Sequence, residues 1–221
     1  MRRLTPIVGL LLLAGCASAQ MSLPNHLATA ERTEFKGIGG WSKGHFTAGA
    51  YSGSYERSAT KLSYLIPLVE NRGHSEFTLE SAGGEPLEGR CRMRENSVDL
   101  GLVEVTTRPM AYRCELPAGF LELQEVTGGH INRYERRGRI ELSGEAVDIR
   151  SVHHIEGTVL PTSTPIGYVF EQNGRPVGAV ELNGRPALMV EPGASPQLAH
   201  TLTVAALALG VFWDPANITD S

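Results

Sequence analysis

The chain is 221 residues long and carries 20 Lys and Arg against 24 Asp and Glu, a formal charge of −4 at pH 7. An acidic balance excludes sequence-independent nucleic-acid binding, which depends on basic side chains neutralising phosphates. It also gives the chain as a whole no electrostatic pull toward anionic lipid.

Met1-Arg2-Arg3 makes a short positive start, and Leu4 to Ala14 an apolar run. Together they have the layout of a signal peptide, whose apolar core spans about 7–15 residues. The run is too short to cross a bilayer, which takes about 20 apolar residues. It leads into Leu13-Ala14-Gly15-Cys16, which resembles the lipobox of bacterial lipoproteins. The resemblance implies that residues 1–15 are removed and that Cys16 carries a diacylglycerol on its thiol. It also implies a membrane partner through this N-terminal lipid, since two or three acyl chains anchor a protein stably. Ala17, not Asp, follows the cysteine, which in lipoproteins of diderm bacteria implies the outer membrane, facing the periplasm. The alternative is an ordinary signal peptide, cut after Ala17-Ser18-Ala19 with release at Gln20. Loss of Arg2 and Arg3 takes the formal charge from −4 to −6.

Two cysteines remain, Cys91 and Cys114. In an exported chain an even pair reads as a disulfide. There is no C-x-x-C, and no His stands at ligand spacing beside either, so a metal or redox pair is the weaker alternative. Residues 16–35 are polar beyond the cysteine and without clear period, as in a lipidated tether. Residues 36–221 are ample for one β-rich domain.

Alternation of period 2 runs through that domain, and it places alternate side chains on opposite faces. Strands are expected near 44–56, 98–106, 120–127, 131–142 and 146–156. Glu76-Phe77-Thr78-Leu79-Glu80 alternates cleanly. Arg90-Cys91-Arg92-Met93-Arg94 puts three arginines on one face and Cys91 with Met93 on the other. Tyr112-Arg113-Cys114-Glu115-Leu116 turns Cys114 the same way, so the two cysteines fit a bridge inside a sheet. From Ile166 to Val190 three apolar runs are separated by Asn173-Gly174 and Asn183-Gly184. Asn-Gly between apolar runs is a hairpin signal, because both residues accept the positive φ of a type I′ turn. Regular short strands with such turns predict an antiparallel β-barrel or a sandwich.

The pattern then becomes helical, near residues 196–213. Ser195-Pro196 supplies an N-cap and a first-turn proline. Leu198 to Trp213 has no charge, and Asp214-Pro215 ends it. Its apolar residues lie all round the axis, so this helix must be buried on every side. The place for it is the inside of a barrel.

Many strands followed by a threaded apolar helix resemble the tubby-like superfamily, which includes the phospholipid scramblases and LURP-one-related proteins. Gly167-Tyr168-Val169-Phe170, Asn173-Gly174-Arg175-Pro176-Val177-Gly178 and the helix at 198–213 carry the resemblance. It covers roughly the last third of the chain and implies a fold only. No phosphoinositide-binding cluster or scramblase-type calcium segment accompanies it, so no functional residue is carried over.

Chemistry is sparse. Ser58-Ala59-Thr60-Lys61 fits S-x-x-K, but the partner motifs S-D-N and K-T-G do not appear. His26, His45, His74, His130, His153, His154 and His200 include no metal-ligand spacing, and adjacent His153 and His154 point to opposite faces of a strand. His200 reads as a satisfied core residue or one near the helix cap. Gly37-Ile38-Gly39-Gly40 lacks the βαβ context of a phosphate loop. Glu122 and Glu125 cannot be paired from sequence, and Trp41 and Trp213 read as core or rim aromatics. Arg90, Arg92 and Arg94 form either a solvated face or a basic stripe for an anion. The expectation is therefore a non-catalytic, lipid-anchored envelope protein, with no cofactor and no metal, that binds another envelope component, for example an envelope protein. A barrel carrying a lipid or small apolar ligand is the alternative, and an enzyme the third.

Overall fold

A computed structural model describes residues 20–63, 68–99, 104–126 and 134–213. The segments expected as signal peptide and lipobox, with Cys16, and the expected Asp214-Pro215 stop lie outside the described residues, as do His130 and parts of the strands expected at 98–106 and 131–142.

The fold is a nearly closed antiparallel barrel of twelve strands around one helix. In chain order it runs α1 (Asn25–Ala28), β1 (Arg32–Glu34), β2 (Lys43–Ala48), β3 (Tyr51–Ser63), β4 (Leu68–Ser81), β5 (Leu87–Asp99), β6 (Glu104–Leu116), β7 (Gly119–Glu125), β8 (Arg136–Leu142), β9 (Glu145–Val152), β10 (Gly167–Gln172), β11 (Arg175–Glu181), β12 (Ala187–Val190) and α2 (Pro196–Val211). From β2 to β12 each strand pairs with the next, and β1 adds to the free side of β12. Lys36 and Thr47 close the ring, each backbone N–H donating to the other's carbonyl at 2.8 and 2.9 Å.

Twelve strands explain how the helix fits. Eight strands leave an interior that side chains fill, and the diameter grows with strand number. An α-helix with its side chains is about 10–12 Å across. α2 lies along the axis with Leu202, Val204 to Leu209 and Val211 buried, and it packs on β3, β4, β8, β9, β11 and β12. Ser195 caps it, its Oγ accepting from the Leu198 N–H at 3.1 Å. The inward residues of the wall, such as Phe46, Phe77, Leu79, Leu121, Ile140 and Phe170, alternate with exposed polar ones and complete the core.

Three expectations change. Residues 98–106 are not one strand, since Asp99 ends β5 and its antiparallel partner Glu104 begins β6. Residues 44–56 are not one strand. They form the β2–β3 hairpin, turned at Gly49, where φ is +59°. The segment expected as a tether is, from residue 20 to 35, part of the fold. Arg32, Thr33 and Glu34 pair with β12, and Arg32 reaches the buried Glu181 carboxylate at 2.6 Å. Met21 and Leu27 cover the outer side of β10–β12, where Val169, Ala179 and Met189 face outward yet are buried. This is why β10 and β11 are apolar on both faces, unlike the alternating strands before them. The tether carries too few apolar residues to show a period, so its docking was hidden.

The barrel has two unlike ends. The entry end, where α2 begins, holds the turns at 49–50, 82–86, 117–118, 143–144 and 173–174. The exit end, where α2 ends, holds the β1–β2 and β9–β10 connections. The β3–β4 and β5–β6 hairpins also point there, on strands of 13 to 14 residues.

Candidate functional site

The interior offers little room for a ligand, because α2 occupies the axis. At the exit end its last carbonyls meet the wall. The Tyr112 hydroxyl donates to Ala208 O at 2.8 Å, and Arg57 donates to Gly210 O at 3.4 Å. Arg57 also donates to the carbonyls of Trp41 and Gly39 and stacks on Tyr55 and Trp213, 5.4 and 5.0 Å from the ring centres. A cation suits this position, since a helix C-terminus carries partial negative charge. Burial pushes the Arg57 guanidinium below its ordinary range. Arg136, also buried, donates to the Tyr168 hydroxyl at 3.3 Å and lies 5.5 Å from the Phe212 ring centre. These two arginines line a pocket of about 220 Å³, and their contacts close the barrel around the helix end. Sequence gave no sign of them, because each sits in a polar-looking stretch.

The outer wall is different. Cys91 and Cys114 stand directly opposite on β5 and β6, both buried and bonded at 2.08 Å. Their outward neighbours are arginines. Arg92 pairs across the sheet with Arg113 on one side and His74 on the other. Arg94 pairs with Arg72 and with Ala111. Like charges placed directly opposite destabilise a sheet. Arg72 has Glu70 at 2.8 Å, Arg90 has Glu88 at 3.8 Å, and Arg113 has Glu122 at 3.7 Å. Among the described residues, Arg92 and Arg94 have no ion-pair partner. A pocket of about 290 Å³ opens here between Arg90, Arg92, Arg94 and Arg113, with small Ala111 as its floor and Glu115 at one side.

Arg90, Arg92 and Arg94 thus share one face of β5, and Arg72 on β4 and Arg113 on β6 widen their row into a patch. Seventeen of the chain's 20 basic residues are arginine. A guanidinium stays charged at any physiological pH and its fork matches phosphate and carboxylate oxygens in pairs. The patch is therefore a fixed positive surface on an acidic protein. A larger cleft of about 710 Å³ across β2–β5 carries Lys43, Glu56, Glu76 and Arg90 in one cross-strand row, where opposite signs offset one another.

Other candidates are not brought together. Ser58 to Lys61 lie on β3 and not at a helix start. Glu122 and Glu125 sit on opposite faces of β7, as their spacing requires. His153 is buried with its ring nitrogens 3.1 Å from Ser151 Oγ and 3.0 Å from Thr162 O, while His154 is exposed. His200 is half-buried against Tyr51. Trp41 is exposed on the exit-end rim, and Trp213 lies at the end of α2. Among the described residues no group of three or more His, Cys, Asp or Glu is placed to hold a metal ion. No described helix is long and apolar enough to cross a membrane. No family model, curated protein or solved structure matches the chain.

Proposed function

We propose that this chain is a lipid-anchored, non-catalytic protein of the bacterial cell envelope that binds an anionic envelope component through the arginine patch of β4–β6. One observation carries the reading. Arg92 faces Arg113 and Arg94 faces Arg72 across adjacent strands, an arrangement that costs stability unless an anion offsets it. The lipobox supports the anchor, and with it an outer-membrane, periplasm-facing location. The axial helix argues against a carrier of apolar ligands, since it fills the space such a ligand would need. The same helix supports the proposal that the fold is tubby-like.

A photo-reactive amino acid at Ala111, in the floor of the patch, tests this in intact cells. The expected result is one dominant crosslinked envelope component, lost when Arg92→Glu and Arg94→Glu are added. Crosslinking no stronger than from Thr78, toward the entry end of the same wall, would sink the reading.

A further inference from the structure

We propose that the exit end of the barrel seats on an anionic bilayer, with the arginine patch at the level of the lipid phosphates. This rests on the anchor and patch proposed above, and it names their shared partner.

The first argument is where the chain emerges. Glu156 N–H donates to Gln20 O at 2.8 Å, and Met21 pairs with Ile155, just past the end of β9 at the exit end. Cys16 is four residues before Gln20. At about 3.5 Å per extended residue, the acylated cysteine lies within about 14 Å of that point. Acyl chains on Cys16 hold this end at the membrane, and not the other.

The second is where apolar surface is exposed. Among the described residues the large exposed hydrophobics are Trp41, Val105, Val126, Val159 and Leu160, with Val159 at 92%, Leu160 at 81% and Trp41 at 77% exposure. All five lie toward the exit end. They stand in the β1–β2 connection, at the start of β6, just after β7 and in the β9–β10 connection. Exposed apolar surface gathered in one place marks an interaction site, and Trp favours the membrane–water interface.

The third is the order of side chains along the outer wall. Leu68, Val98 and Val105 align across β4, β5 and β6 toward the exit end, with the Asp99–Glu104 pair one position beyond the two valines. Moving toward the entry end, β4 continues with Arg72, then Glu76 and Glu80. β5 continues with Arg94, Arg92 and Arg90, then Glu88. β6 continues with Arg108 and Arg113, then Glu115. The strands alternate in direction, yet all three run apolar, basic, acidic in the same spatial sense. Glu70, which lies between Leu68 and Arg72 and pairs with Arg72, is the exception to this order on β4. This order matches a bilayer surface: acyl region, phosphates, then water, with the acidic end held away from anionic lipid. An acidic protein would satisfy the arginines but neither the apolar row beyond them nor the position of the anchor.

The test uses the mature lipidated protein, purified after export and reconstituted on phosphatidylcholine vesicles with or without phosphatidylglycerol, with plain or brominated acyl chains. Two exposed positions receive a reporter, Val105→Trp at the exit end and Ala82→Trp at the entry end. The expected result is that emission gained from Val105→Trp is lost with brominated chains, more so with phosphatidylglycerol, while that from Ala82→Trp is unchanged. Arg92→Glu with Arg94→Glu removes the phosphatidylglycerol dependence. Protein that co-floats with the vesicles but leaves Val105→Trp unquenched overturns the docked end and spares the anchor. Protein that fails to co-float overturns both. Equal quenching with and without phosphatidylglycerol overturns the arginine–phosphate contact.

Discussion

The Tyr112 hydroxyl on the barrel wall donates to the Ala208 carbonyl of the axial helix at 2.8 Å, with Ser75 Oγ 3.2 Å from the same hydroxyl. The last four carbonyls of any helix lack an intrahelical donor, and here the buried wall supplies one. Burial pushes the Tyr112 phenol far above its ordinary range, which keeps it a donor. Tyr112→Phe leaves the carbonyl and Ser75 in place without it. A loss of about 1–3 kcal/mol is expected, read as a lower midpoint of denaturant unfolding. An unchanged midpoint would show that the wall and the helix are not coupled through this bond.

The Cys91–Cys114 bridge joins residues 23 apart in sequence, on directly opposed strands. In the chain-entropy account, closing a loop of that size contributes about 3 kcal/mol. Cys91→Ser with Cys114→Ser should lower stability by about that much, and a reductant should lower the wild type toward the double variant. If reductant leaves the wild-type midpoint untouched and both thiols react with an alkylating agent, the pair is not bridged in the native protein.

Much of the fold was legible because strands with one wet face alternate. Cys91, Met93 and Cys114 pointed inward as their period required, and the charge-free helix at 198–213 had nowhere to be buried except along the axis. What could not be read was register. Nothing in the sequence says that Arg92 lies opposite Arg113 or Arg94 opposite Arg72, so a stripe of three arginines looked like any solvated face. Buried Arg57 and Arg136 were equally invisible. Their value lies in a helix end brought to them from more than 70 residues away. The docking of residues 20–35 escaped because its apolar contacts, Met21 and Leu27, are few and follow no period.

His200 lies half-buried at the start of the axial helix, its Nδ1 3.4 Å from the Tyr51 hydroxyl. Burial lowers its pKa from the ordinary 6.5. The unfolded chain therefore takes up a proton at a higher pH than the folded one, and below about 6.5 it binds more protons. This contribution to stability is present above that pH and is lost as pH falls through the folded value. Unfolding midpoints measured from pH 7.5 to 4.5 should fall more steeply for the wild type than for His200→Gln. Parallel slopes would mean that His200 charges freely in the folded barrel.

Arg92→Glu separates stability from binding. The substitution places a carboxylate between His74 and Arg113, where the native chain sets one guanidinium against another. Cross-strand like charges oppose folding, and opposite charges favour it. The variant should therefore be at least as stable as the wild type at low salt, although it loses the anion site. The Debye length shrinks from about 10 Å at 0.1 M to about 3 Å at 1 M, so added salt increasingly relieves the cross-strand repulsion in one protein and weakens the attraction in the other. Raising the salt should raise the thermal midpoint of the wild type relative to Arg92→Glu. A variant that is less stable at every salt concentration would show that Arg92 supports the barrel itself, and the case for a patch maintained at a cost for binding would fall.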